Sequence, residues 1–125
     1  PPCFTLNHAR FADSAARIKA GAGMPGWNRG IQNTTLGVVA TNAKLSKRQA
    51  IKVSQMAQSG LVRTISPVQS TVDGDLVFAL SAGKKTEAVN TVGRMAEEAL
   101  AAAVLQAVQR ADGLGLLPAY RDLHP

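Results

Sequence analysis

The chain has 125 residues, 46% apolar and 18% charged, with 14 Lys and Arg against 8 Asp and Glu for a formal net charge of +6. That length suits one domain with a single core, and no apolar run approaches the roughly 20 residues that cross a bilayer, so the composition points to a soluble globular protein without a membrane role. Cys3 is the single cysteine, which excludes an intrachain disulfide and a cysteine-built zinc site and fits a reducing, cytoplasmic setting.

Residues 1–33 are rich in Gly, Ala and Pro, and only Arg10 to Ala20 has a short helical look. Gly21, Gly23, Pro25, Gly26 and Gly30 break regular structure after it. This part reads as a tail or linker, and Pro1-Pro2-Cys3-Phe4-Thr5 has neither the basic start nor the apolar stretch of a secretory signal. Cys3 has no neighbour that would lower its pKa and receives no role.

The pattern changes at Thr34. Thr35 to Ala43, TLGVVATNA, is β-branched and apolar at its centre, which predicts a central strand covered on both faces. Ser46 and Gln49 form the Ser-x-x-Gln spacing of a capping box and predict a helix start. Ala50, Val53, Ala57 and Leu61 then make one apolar stripe, with Gly60 as a stop or bend.

Pro67 and Gln69-Ser70-Thr71 predict a loop, and Leu76 to Leu80 a second, nearly all-apolar strand. After a loop at Gly83-Lys84-Lys85, helical periodicity runs from about Thr86 to Arg110. Val89, Val92, Ala96, Ala99 and Ala103 face inward, Arg94, Glu97, Glu98 and Arg110 outward, and Gly113 and Gly115 end the helix. Strand, helix, strand, helix is an α/β layer. Two buried strands leave edge amides and an apolar face uncovered, so further strands must come from elsewhere.

The positive charge raises the possibility of nucleic-acid binding. Lys44, Arg48 and Lys52 recur at intervals of four on one helix face, joined by Arg63, Lys84 and Lys85. With aromatic residues at only 4% and no zinc-finger or ribonucleoprotein motif, a solvated face is the favoured reading. A third reading pairs the charge with an acidic polypeptide outside this sequence.

Two short motifs carry candidate chemistry: Asn33-Thr34-Thr35 before the first strand and Asp73-Gly74-Asp75 before the second. If the strands run parallel, their starts meet and set a hydroxyl beside two carboxylates. A threonine hydroxyl needs a base, and the amine of the same residue serves once it becomes the chain terminus, since its pKa of about 7.7 to 8.0 leaves a neutral fraction at physiological pH. Thr34 would reach that state by attacking the Asn33 carbonyl, giving an ester that water opens. Asp73 and Asp75, at i and i+2 on extended chain, point to the same side and are suited to orient the ammonium, tune its pKa or hold a cationic substrate amine. Alone, each motif is also ordinary turn composition, with Gly74 at positive φ. A calcium loop is excluded because its further acidic positions and distal glutamate are missing; no metal or other cofactor is called for.

The string NTTLGVVATNAKLSKRQAIKVSQMAQSGLVRTISPVQSTVDGDLVFALSAG, Asn33 to Gly83, resembles the C-terminal subunit of the L-aminopeptidase/D-esterase family, which includes β-aminopeptidases and the nylon-oligomer hydrolase. The resemblance runs to about Arg110 and rests on the Asn-Thr junction, the V-A-T-N strand, Gly60-Leu61-Val62-Arg63, Pro67 and D-G-D-L-V-F-A-L. It implies a precursor cut at Asn33-Thr34 into a larger N-terminal subunit, whose tail is residues 1–33, and a nucleophile-bearing subunit of residues 34–125. It also implies a four-layer α–β–β–α sandwich completed by the larger subunit, and homo-oligomers of the pair. Thr34 matches the family's nucleophile, and Asp73 and Asp75 the two positions beside it. A lysine or tyrosine and an oxyanion-hole asparagine belong to the larger subunit. Relatives commonly carry His-Thr where this chain has Gln69-Ser70, and glycine where it has Gln32.

The implied activity is a self-processing N-terminal-nucleophile amide hydrolase (aminopeptidase or amidase) acting through an acyl-enzyme on Thr34, with small peptides or amides as substrates. The alternatives are a non-catalytic interaction fragment of the same fold and a basic nucleic-acid-binding module.

Overall fold

Eight elements follow one another in a computed structural model that describes residues 4–5, 10–11, 13–21, 34–70, 74–114 and 118–123: β1 (Phe4–Thr5), β2 (Arg10–Phe11), α1 (Ser14–Lys19), β3 (Leu36–Ala43), α2 (Lys47–Thr64), β4 (Leu76–Lys85), α3 (Val89–Arg110) and α4 (Tyr120–Leu123). The expectations for Cys3, Asn33, Thr71, Asp73, Gly115 and the glycine-rich stretch from residue 22 lie outside the described residues. In the first third, β1 and β2 pair antiparallel, and Asp13 caps α1 by accepting from the Ala16 amide at 2.9 Å.

β3 and β4 form a parallel pair with Leu36 opposite Leu76 and Val38 opposite Phe78. A parallel pair needs a long crossover, and α2 provides it. Its start is fixed by the capping box, in which the Ser46 hydroxyl accepts from the Gln49 amide at 3.4 Å while the Gln49 side-chain oxygen Oε1 accepts from the Ser46 amide at 2.8 Å. The apolar stripe is inward as its spacing predicts, with Val53, Ala57 and Leu61 all fully buried. The helix does not stop at Gly60. It continues to Thr64 because Gly60 lies under α3, where a Cβ would sit 2.5 Å from the Glu97 carbonyl oxygen. The glycine is a close-approach point between two helices rather than a terminator.

Three further expectations are corrected. β4 runs on through Gly83-Lys84-Lys85, where a loop was expected, because the Lys44 amide donates to the Lys85 carbonyl at 2.8 Å and the Ser81 hydroxyl ties Ala43 and Leu45 across the strands. α3 starts at Val89, and its inward side is Val92, Gly93, Ala96 and Leu100 with Val89 and Val104 partly covered, whereas Ala99 and Ala103 are exposed. The buried stripe is the side that meets α2, where Gly60 lies against Leu100 and Gly93 against Met56. Finally, among the described residues β3 is covered on one face only. Ala43 and the half-buried Val39, Val77 and Ala79 pack on the helices, while Leu36, Val38, Leu76, Phe78 and Leu80 are between 51% and 66% exposed on the other face. The described residues place two helices over one face of a parallel two-stranded sheet, and no helix among them is long and apolar enough to cross a membrane.

The helices are also tied by charge. Glu97 accepts from Arg63 of α2 and from Arg94 of its own helix, each at 3.0 Å. Arg63 therefore belongs to an interhelical pair and not to the basic face assigned to it from spacing. Lys44 precedes α2 and so does not share a helical face with Arg48 and Lys52.

Candidate active site

Parallel pairing brings the segments before β3 and β4 together, as the sequence requires for a hydroxyl to meet a carboxylate. The Leu76 amide donates to the Thr35 carbonyl at 3.0 Å, which extends the ladder by one step toward the site. Thr34 is exposed at this edge, and its side chain lies over Gly74: a Cβ added there would be 3.4 Å from Thr34 Oγ1 and 4.0 Å from its Cγ2. Gly74 thus keeps the backbone close to the hydroxyl. It does not adopt the positive φ of a tight turn, since Gly21 is the glycine in that region among the described residues.

Asp75 is the organising group. Its Oδ1 accepts from the Thr35 amide at 2.8 Å and its Oδ2 from the Gln69 amide at 3.0 Å. Burial pushes the carboxyl up, but the Gln69 amide, the Thr35 amide and the Thr35 hydroxyl together outweigh it and hold the pKa below the ordinary value. One carboxylate therefore fixes the residue after Thr34 and the loop after Pro67. Gln69 itself has φ 54°, a left-handed conformation that costs a non-glycine residue on the order of 1 kcal/mol. The charge-assisted bond to Asp75 offsets that cost and holds the loop against the site.

Thr34 and Asp75 are thus brought together, while Asn33 and Asp73 fall outside the described residues. Two participants were not read from sequence. Thr35 is one, its hydroxyl bonding Asp75 as well as its amide. The Gln69 amide was missed because a backbone donor leaves no side-chain signature, and only the loop proline hinted that this turn is shaped. Among the described residues no group of His, Cys, Asp and Glu is placed to hold a metal ion.

The family model for peptidase family S58 matches residues 5–119. The chain belongs to peptidase family S58. The match includes the Asn33 to Arg110 stretch that carries the L-aminopeptidase/D-esterase resemblance and extends well into the first 33 residues. Similar curated proteins are an uncharacterized aminopeptidase of Mycobacterium leprae (strain TN), 40% identical over 108 residues covering 74% of this chain and 30% of the relative, and one of Mycobacterium tuberculosis (strain ATCC 25618 / H37Rv), 38% identical with 74% and 31% covered. This S58 chain therefore spans less than a third of the length of those relatives.

Proposed function

We propose that this S58 chain carries the nucleophile of a self-processing amide hydrolase with aminopeptidase or amidase activity. The observation that carries the reading is the seat of Thr34 over Gly74, beside a carboxylate that holds the Thr35 amide. Thr34 Oγ1 attacks the Asn33 carbonyl carbon, the Asn33–Thr34 C–N bond breaks, and the acyl group passes to oxygen as an ester while the nitrogen becomes an amine. Water opens the ester, leaving an Asn33 carboxylate and a free Thr34 terminus. In turnover that amine takes the hydroxyl proton as Thr34 attacks the substrate carbonyl, and water releases the acyl-enzyme.

Asp75 is assigned a positioning role. Its two oxygens are occupied by main-chain donors, so it orients the Thr34-Thr35 backbone instead of binding substrate, and its charge favours the protonated amine once the proton has moved. Asp73 takes the companion acidic role that the family resemblance implies. Oxyanion donors come from a larger N-terminal subunit of the same precursor, to which residues 1–33 form the tail. The open apolar face of Leu36, Val38, Leu76, Phe78 and Leu80 supports such a subunit, because contiguous exposed apolar surface of this kind marks an interface. A second sheet there completes the α–β–β–α sandwich, and the pairs assemble further. Short peptides with a free N-terminal residue, or related amides and esters, are the substrates.

The test is hydrolysis of aminoacyl anilides by the precursor-derived protein and its variants. Thr34→Ala abolishes turnover; Thr35→Val, which removes only one of the donors to Asp75, lowers it without abolishing it. Activity retained in Thr34→Ala would sink the assignment.

A further inference from the structure

The glycines packed between elements answer to the framework. A Cβ on Gly60 would press on the Glu97 carbonyl oxygen of α3, one on Gly83 on the Asn42 carbonyl of β3, and one on Gly93 on the Met56 side chain. Gly21 answers to its own backbone, with φ 74°. Gly74 differs from all of these. Its φ lies outside the left-handed region, and among the described residues a Cβ there would meet Thr34 alone within 4 Å, at 3.4 Å from Oγ1 and 4.0 Å from Cγ2. Backbone and packing would both admit an alanine; the one side chain it would crowd is that of the proposed nucleophile.

Strand alternation gives the space over Gly74 a direction. Leu36 is opposite Leu76, and the bond from the Leu76 amide to the Thr35 carbonyl carries the pairing one step further toward the site. Thr34 and Gly74 therefore share the open face with Leu36 and Leu76 and are exposed, while Thr35 and Asp75 alternate to the helical side and are half-buried. The carboxylate that holds the Thr34-Thr35 backbone works from one side of the sheet, and the other side of the hydroxyl is left open. Groups on an acyl carbon bonded to Oγ1 stand two bonds from that oxygen. A methyl already in van der Waals contact with the oxygen would occupy part of the shell those groups need.

We propose that Gly74 is a specificity-determining residue of the hydrolase: its missing side chain leaves room beside Thr34 Oγ1 for the substituent on the carbon next to the carbonyl that Thr34 attacks. This assignment rests on Thr34 as the nucleophile and adds the class of acyl group the site takes, one substituted at that carbon, as in any amino acid other than glycine. In turnover the space receives the side chain of the substrate's N-terminal residue. In self-processing it receives the side chain of Asn33, whose carbonyl is the one attacked.

The test uses protein matured from its full precursor and compares kcat/KM for glycyl, alanyl and leucyl p-nitroanilides. Gly74→Ala does not lower the thermal midpoint, and it lowers alanyl and leucyl turnover by about tenfold or more beyond its effect on glycyl, the scale of one misfitted methyl group in a pocket. Thr35→Val, acting through Asp75 on every substrate alike, lowers the three in equal proportion. A Gly74→Ala precursor that matures slowly recovers when Asn33→Gly is added, because the acyl group then carries no side chain. Equal losses on the three substrates in Gly74→Ala, no loss on any of them, or slow maturation that Asn33→Gly does not relieve would overturn the role of Gly74 while leaving Thr34 as nucleophile. Native protein that turns over none of the three, or turnover that survives Thr34→Ala, would instead overturn the hydrolase reading and this role with it.

Discussion

The two faces of the β3–β4 pair obey opposite rules. On the helical face, Val53, Ala57 and Leu61 have no accessible surface, and Val92, Ala96 and Leu100 close over them at no more than 6%. On the open face, alternate residues of the same strands leave Val38 at 61% and Phe78 at 53% exposed. The open face, with Leu36, Val38, Leu76, Phe78 and Leu80, is at least as apolar as the helical one, so it is the available partner that decides which face becomes core. Stability of the chain should come from the first face and assembly from the second, with chemistry at the strand starts where the two meet.

The largest expected effect is on chemistry: Thr34→Ala eliminates turnover in the anilide assay while leaving the thermal melt of the folded chain nearly unchanged, because the side chain is exposed and contributes little burial. Next is Leu61→Ala on the helical face, which should cost about 2–5 kcal/mol in urea unfolding by removing a fully buried side chain. Ser46→Ala removes the N-cap of α2 and should cost about 1 kcal/mol. Smallest is Phe78→Ser on the open face, within about 0.5 kcal/mol for the chain alone, although the same change should block assembly with the proposed larger subunit in size-exclusion chromatography. Equal losses for Leu61→Ala and Phe78→Ser would break the comparison between the faces.

Acid titration sharpens the corner between them. Because the folded pKa of Asp75 is depressed, its bonds contribute stability that is fully present above the unfolded value, about 3.9, and is lost as pH falls through the lower folded value. Urea midpoints of the native chain should therefore decline below about pH 4. Asp75→Asn should lower the neutral-pH midpoint, because its amide group opposes one of the main-chain donors, and should flatten that decline.

Local chemistry was legible where it is written in side chains. The Ser46–Gln49 box and the Val53-Ala57-Leu61 stripe place α2 from sequence, and the parallel pairing needed for Thr34 to meet Asp75 follows from a strand-helix-strand order. Features that depend on neighbours were not legible. Gly60 has the composition of a helix stop, and only the passage of α3 above it shows why the helix continues. Ala99 and Ala103 fit the inward period of α3, but the close approach of α2 at Gly60 makes Leu100 the inward residue instead. At the site, the acidic and hydroxyl side chains were readable, whereas the Gln69 amide that completes the Asp75 clamp was not.

The central claim is that Thr34 cuts its own chain and then works as its terminus. Intact-mass spectrometry with N-terminal sequencing of the expressed precursor, beside its Thr34→Ala variant, tests it most directly. The account predicts a species beginning at Thr34 with a partner ending at Asn33, and an uncut variant; an uncut native chain, or a cut that survives Thr34→Ala, would contradict it.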